Sequence, residues 1–168
     1  FHYKEEAVQD GFETETVFVK DAMGGHSGDD INKGRANAVQ LLGRFLYSCL
    51  DLDWQLVTID GGNKRNAIAR EAKAVIAAEP DTLDIINERM EAFAADVAEE
   101  YGAIETELKV GYGEADPADK AIDEMTDYPL FFPLFSFDLR RKYIPPNVNT
   151  VCNIVNMSVS PTRYAANA

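Results

Sequence analysis

The chain has 168 residues, 46% of them apolar and 10% aromatic, which predicts one folded domain with a real core and excludes a disordered segment. Its formal charge of −13 repels phosphate backbones and anionic lipid, so neither nucleic acid nor a membrane is an expected partner. No apolar stretch approaches the roughly 20 residues of a membrane span, and His2, His26, Cys49 and Cys152 form no metal-ligand spacing, so a self-contained metallohydrolase is not expected.

In chain order, residues 1–11 are expected to be a linker leading into a strand over 12–21, with Phe12, Val17, Phe18 and Val19 as its apolar positions. The run Gly24-Gly25-His26-Ser27-Gly28-Asp29-Asp30 follows. Its glycines permit positive φ and close approach of backbone to a ligand. Its histidine is the side chain best suited to donate hydrogen bonds or protons near neutral pH. With no apolar side chain, the run is either a helix start or a site. Asp29 or Asp30 is expected to cap a helix over Ile31–Leu50, whose stripe is Ala38, Leu41, Leu42, Phe45, Leu46 and Cys49. Cys49 on that stripe reads as a small buried thiol, and the two cysteines fit a reducing cytoplasm. Gly34 and Asn37 are poor helix formers, consistent with close packing or a frayed start.

Trp54–Ile59 reads as a second strand, Gly61-Gly62-Asn63 as a turn, and Ile68–Ile76 as a half-buried strand completing a hairpin. Pro80 and Asp81 open a second helix with the stripe Leu83, Ile86, Met90, Phe93, Val97 and Tyr101 and an opposite acidic, solvated face. Ile104–Tyr112 alternates with Glu105, Glu107 and Lys109 as a further strand. Ala118–Met125 is expected to be a short helix. The aromatic-rich stretch Leu130–Leu139 needs covering. Asn149–Val159 reads as the last strand, and Pro161–Ala168 as a loose tail. This order predicts an α+β fold. It is a two-layer sandwich, with an antiparallel sheet of four or more strands and two main helices on one face, a ferredoxin-like βαββαβ core plus an insertion.

The blocks Phe12-Glu13-Thr14, Gly24-Gly25-His26-Ser27-Gly28, Gly34-Arg35-Ala36-Asn37-Ala38, Leu41-Leu42 and Gly61-Gly62-Asn63-Lys64-Arg65-Asn66-Ala67-Ile68 resemble bacterial aminoacyl-histidine dipeptidases in order and spacing. These are the Xaa-His or beta-alanyl-histidine dipeptidases of the di-zinc metallopeptidase superfamily. The resemblance is dense from residue 7 to about 78, weaker to 147, and returns at Asn149–Asn153. It covers only the lid, or dimerisation, domain of that family. The resemblance therefore implies that residues 1–168 are one lid domain excised from a larger two-domain enzyme, with 1–11 and 161–168 as linkers. A start at Phe1 rather than Met agrees with a piece of a longer chain.

The resemblance further implies that two zinc ions and a general-base glutamate lie in a separate catalytic domain, with none of the zinc bound here. His26 matches a lid histidine that stabilises the oxyanion of the scissile carbonyl, in many relatives across a dimer interface. Asn66 matches an asparagine that hydrogen-bonds the dipeptide substrate, and Thr150 a threonine lining the same pocket. The implied partners are a dipeptide, the catalytic domain of the same chain and a second copy in a homodimer, and the implied compartment is the cytoplasm. Three departures stand out: Ala69 replaces a proline, Asn32 stands where relatives often carry histidine, and Leu130–Leu139 replaces a loop near the substrate. From the residues alone, His26 can also be a turn or capping residue and Asn66 a structural amide. Arg65 and Arg70 can bind a carboxylate or form surface ion pairs. A ligand-sensing or dimerising α+β module without catalysis, or the lid of a related aminoacylase or deacetylase, remains an alternative.

Overall fold

A computed structural model describes residues 4–64 and 66–122, together with the backbone pairing of residues 157–159. In chain order the elements are β1 (Glu5–Ala7), β2 (Glu13–Lys20), β3 (Gly25–His26), a 3₁₀ turn (Ile31–Lys33), α1 (Ala38–Ser48), β4 (Trp54–Gly61), β5 (Ala67–Ile68), β6 (Ala72–Ala78), α2 (Pro80–Tyr101), β7 (Lys109–Glu114), β8 (Lys120–Ile122) and β9 (Met157–Val159).

The main sheet has the order β7-β2-β6-β4-β9, and every neighbouring pair is antiparallel. Taken without β9, the sequence β2-α1-β4-β6-α2-β7 is the expected βαββαβ core. Alternation along the strands explains the layering. Val17 and Val19 of β2 and Ala74 and Ile76 of β6 face one way, into a single core with Leu41, Leu42 and Phe45 of α1 and Ile86 and Met90 of α2. Both helices therefore share one face. On β4 the register shifts between Leu56 and Thr58. This bulge lets Leu56 and Ile59 both reach the helix-side core, while Val57 turns to the other face. There Val57 and Ala77 pack with Ala121 of β8, and half-buried Val8 and Phe12 close the cluster.

α2 follows its sequence stripe closely: Pro80 stands in the first turn, and Leu83, Ile86, Met90, Val97 and Tyr101 are buried. The Phe45 and Phe93 rings lie 5.5 Å apart, and Arg44 joins Glu100 at 2.8 Å, so the two helices are tied at both core and rim. Among the described residues no helix is long and apolar enough to cross a membrane.

Several boundaries differ from the sequence expectation. α1 begins at Ala38, not Ile31, because Asn37 is its N-cap: the Asn37 Oδ1 accepts from Val39 N at 3.1 Å and Gln40 N at 3.4 Å. Asp30 stands at the start of the 3₁₀ turn without a side-chain cap, its carboxylate being taken by other partners, and the turn ends at Gly34 with φ +69°. Residues 5–7, expected within a linker, pair as β1 with β8, and that pairing makes Lys120–Ile122 a strand instead of part of a helix. The strand expected over Ile68–Ile76 is interrupted between β5 and β6. The strand expected from Ile104 starts at Lys109, after a turn in which Ile104 N and Glu105 N both bond the Tyr101 carbonyl. Of the last expected strand, Met157–Val159 pairs with β4. Thr150, Leu130–Leu139 and the 161–168 tail lie outside the described residues.

Candidate active-site turn

Two glycine-rich stretches, far apart in the chain, meet in a small sheet of their own. β3 pairs with β5 so that Gly25 faces Ile68 and His26 faces Ala67. The pairing continues one residue further, where Ser27 N–H donates to the Asn66 carbonyl at 2.9 Å. His26 and Asn66, the two described residues that the resemblance singles out, are thus brought side by side.

The turn around His26 needs its glycines. Gly24 has φ +65° and Gly25 φ +147°, the region that disfavours side chains. A Cβ on Gly24 would collide with the Arg70 side chain, and one on Gly25 with Arg35 and Asp30. Asp30 braces the turn from inside. Its Oδ2 accepts His26 N–H at 2.7 Å and its own N–H donates to the His26 carbonyl at 2.9 Å. Lys33 Nζ lies 2.6 Å from Oδ1 and Arg35 3.3 Å from Oδ2, while Arg35 also donates to the Gly24 carbonyl. The Lys33 hydrogen bond, followed by that from His26 N–H, holds the Asp30 carboxyl below the usual carboxylate range.

The imidazole itself is aimed by backbone. His26 Nδ1 accepts from Gly28 N–H at 3.1 Å and from Asp29 N–H at 3.4 Å. An acceptor at Nδ1 places the proton of the neutral ring on Nε2. The side chain is 50% exposed, so it carries an oriented N–H donor at an open surface without needing to be charged. Asp29 Oδ2 also lies 3.7 Å from Nδ1; this becomes an ion pair only on protonation, which would cost the two backbone bonds.

Asn66 is exposed, and its described hydrogen bond is the backbone tie to Ser27. Arg70 serves the scaffold: its Nε donates to the Ala22 carbonyl at 3.1 Å and its own carbonyl accepts Ala22 N–H at 3.1 Å. Arg65 and Thr150 fall outside the described residues. A groove of about 1010 Å³ runs from Gly25, Lys64 and Ala67 onto the open sheet face at Phe18, Lys20 and Lys73.

One residue was missed from the sequence. Glu105, read from the sequence only as a polar position of an alternating strand, is 5% exposed. Its Oε2 accepts Met23 N–H at 2.6 Å and its Oε1 accepts Ala36 N–H at 2.8 Å. Its sequence neighbours carry no signal of this, because both partners are main-chain groups elsewhere in the fold. Cys49 is buried and free as expected, and burial pushes its thiol up. Among the described residues no three His, Cys, Asp or Glu side chains converge to hold a metal ion.

The chain is a two-layer βαββαβ domain that carries a braced histidine turn. Residues 19–105 match the family model described as the peptidase dimerisation domain, and the chain belongs to that family. It is 46% identical over 86 residues to the cytosol non-specific dipeptidase of Escherichia coli (strain K12), covering 51% of this chain and 18% of that protein. Its fold matches the aminoacylhistidine dipeptidase from Vibrio alginolyticus with a TM-score of 0.78 and 33% identity, over 81% of this chain and 28% of that one. The match therefore takes in less than a third of the length of either dipeptidase.

Proposed function

We propose that this chain is the lid and dimerisation domain of a metal-dependent cytoplasmic dipeptidase acting on Xaa-His-type dipeptides. In this reading it covers an active site held by a catalytic domain of the same protein, joins a second copy in a homodimer, and supplies His26 to the reaction. The two zinc ions implied by the resemblance do not fit the described residues of this chain, where no ligand cluster forms. They are assigned to the catalytic domain, and no step is derived through them.

One observation carries the proposal: His26 is fixed through Nδ1 by two backbone N–H groups, so Nε2–H is a donor held in one direction at an open surface. Amide hydrolysis builds negative charge on the carbonyl oxygen, and a donor fixed before the reaction stabilises that charge without reorganisation. A neutral imidazole suffices, so the role does not demand acid pH. Asn66 stands next to it with an exposed side chain able to accept from the peptide N–H and donate to the substrate carboxylate. Thr150 is proposed as a further substrate contact on the resemblance alone.

The test is His26→Ala in the whole enzyme. Loss of an oxyanion donor lowers kcat by roughly 10²–10³, with KM for the dipeptide little changed. An unchanged kcat rules the role out. The isolated chain is expected to cleave no dipeptide, and zinc-dependent hydrolysis by the pure chain would overturn the division of labour.

A further inference from the structure

The stretch between β2 and α1 carries His26 and is tied at three levels. Ala22 N–H bonds the Arg70 carbonyl and Ala38 N–H bonds the Ala69 carbonyl. Inside those ties, Met23 N–H and Ala36 N–H converge on the two oxygens of one carboxylate, Glu105. Innermost, Asp30 closes on His26.

The middle tie is the unusual one. Asp and Glu number 29 in this chain, and among the described residues Glu105 is the one that is buried as a whole, Glu15 being half-buried. Burying a charge is costly unless hydrogen bonds replace its hydration. Here the replacements are two backbone N–H groups that flank the His26 turn, one on each side. A carboxylate offers two acceptor oxygens at a fixed spacing. It therefore sets how far apart the two ends of the turn stand, which a carboxamide cannot do, because its NH₂ would face one of the two N–H groups. The short turn after α2 delivers Glu105 to this point, with its own N–H and that of Ile104 anchored on the Tyr101 carbonyl.

We propose that Glu105 is a positioning residue for His26: by clamping the Met23 and Ala36 amides it fixes the turn that aims the imidazole. Its catalytic consequence rests on the donor role proposed for His26, whereas the positioning itself does not.

The experiment uses the full-length protein and the near-isosteric variant Glu105→Gln, with folding checked by circular dichroism. Histidine ring-nitrogen NMR reads the tautomer of His26. In the parent, Nδ1 is the acceptor nitrogen; in E105Q the two ring signals are expected to move toward tautomer averaging. Activity is expected to fall about tenfold or more in kcat with KM changed less than about twofold, the pattern of a lost transition-state contact. In a His26→Ala background E105Q should cost less than about twofold further, since residues acting through one another are not additive.

An unmoved His26 spectrum in E105Q overturns the proposal, as does a kcat loss that adds in full to that of H26A. If H26A leaves kcat unchanged while E105Q still shifts the His26 signals, the donor role fails and the positioning stands. Should E105Q not fold, amide exchange of the parent decides. The Met23 and Ala36 amides should exchange at least about tenfold more slowly than the amide of exposed Asn63, and equal rates overturn the clamp.

Discussion

Ser27 donates its backbone N–H to the Asn66 carbonyl at 2.9 Å, immediately after His26 and immediately before the Ala67 that faces it across the strand pair. His26, which the resemblance assigns to the oxyanion, and Asn66, which it assigns to the dipeptide, are therefore coupled through main chain. Displacing one turn displaces the other, so changes at either should alter the same kinetic step.

The glycines of the turn are not equivalent. Gly25→Ala puts a side chain at φ +147° against Arg35 and Asp30. It should cost about 1–3 kcal/mol, read as a lowered urea midpoint. At Gly28 an added Cβ meets His26 Nδ1 at 3.3 Å and no positive φ is required. Gly28→Ala should leave the midpoint nearly unchanged while moving the imidazole and lowering kcat of the whole enzyme. Equal stability losses at both positions would contradict this assignment.

Asn37 begins α1 by accepting two orphan N–H groups. Asn37→Ala should destabilise by about 0.5–2 kcal/mol, and Asn37→Asp, which keeps the acceptor, by much less. Denaturant titration of the three proteins checks the order.

Acid should loosen the His26 turn through Asp30. Its folded-state pKa lies below the unfolded value, chiefly because of Lys33. The stabilisation is present above the ordinary carboxylate pKa and is lost as pH falls through the lower folded value. Asp30→Asn should be less stable than the parent at neutral pH, and the two curves of Tm against pH should converge on the acid side. Parallel curves would show that the charge is idle.

Glu15 has the opposite sign. Burial, ahead of the lowering hydrogen bond from Asn87, raises its carboxyl pKa, so its ionised form weighs against folding and that cost is relieved as pH falls through the folded value. Its Oε1 and the Asn87 Oδ1 are both buried acceptors without a donor. Glu15→Gln removes the half-buried charge while its oxygen keeps the bond from Asn87. It should stabilise the domain by about 1 kcal/mol at neutral pH, with the gain shrinking toward acid. A lower Tm at neutral pH would refute it.

The helix-side core was legible wherever one face repeats with the period of its element. The α2 stripe from Leu83 to Tyr101 and the alternation of Val17 and Val19 describe burial that depends on local geometry alone. The start of α1 was less so. Asp30 and Asn37 are both good caps in isolation, and the choice fell to Asn37 because the Asp30 carboxylate is engaged by His26 and Lys33. Lys120–Ile122 became a strand because β1 supplies a pairing edge that no local propensity reveals.

By itself the amino-acid order determined the βαββαβ plan and the place of His26 in a glycine turn, and the resemblance pointed to Asn66. Only the folded chain decided that Ala67 stands opposite His26, that backbone N–H groups hold its Nδ1, and that Glu105 closes the turn. Periodicity reports which face of an element is apolar. A carboxylate gripping two amides 69 and 82 residues away depends on where the main chain returns, and main-chain N–H groups are the same at nearly every position.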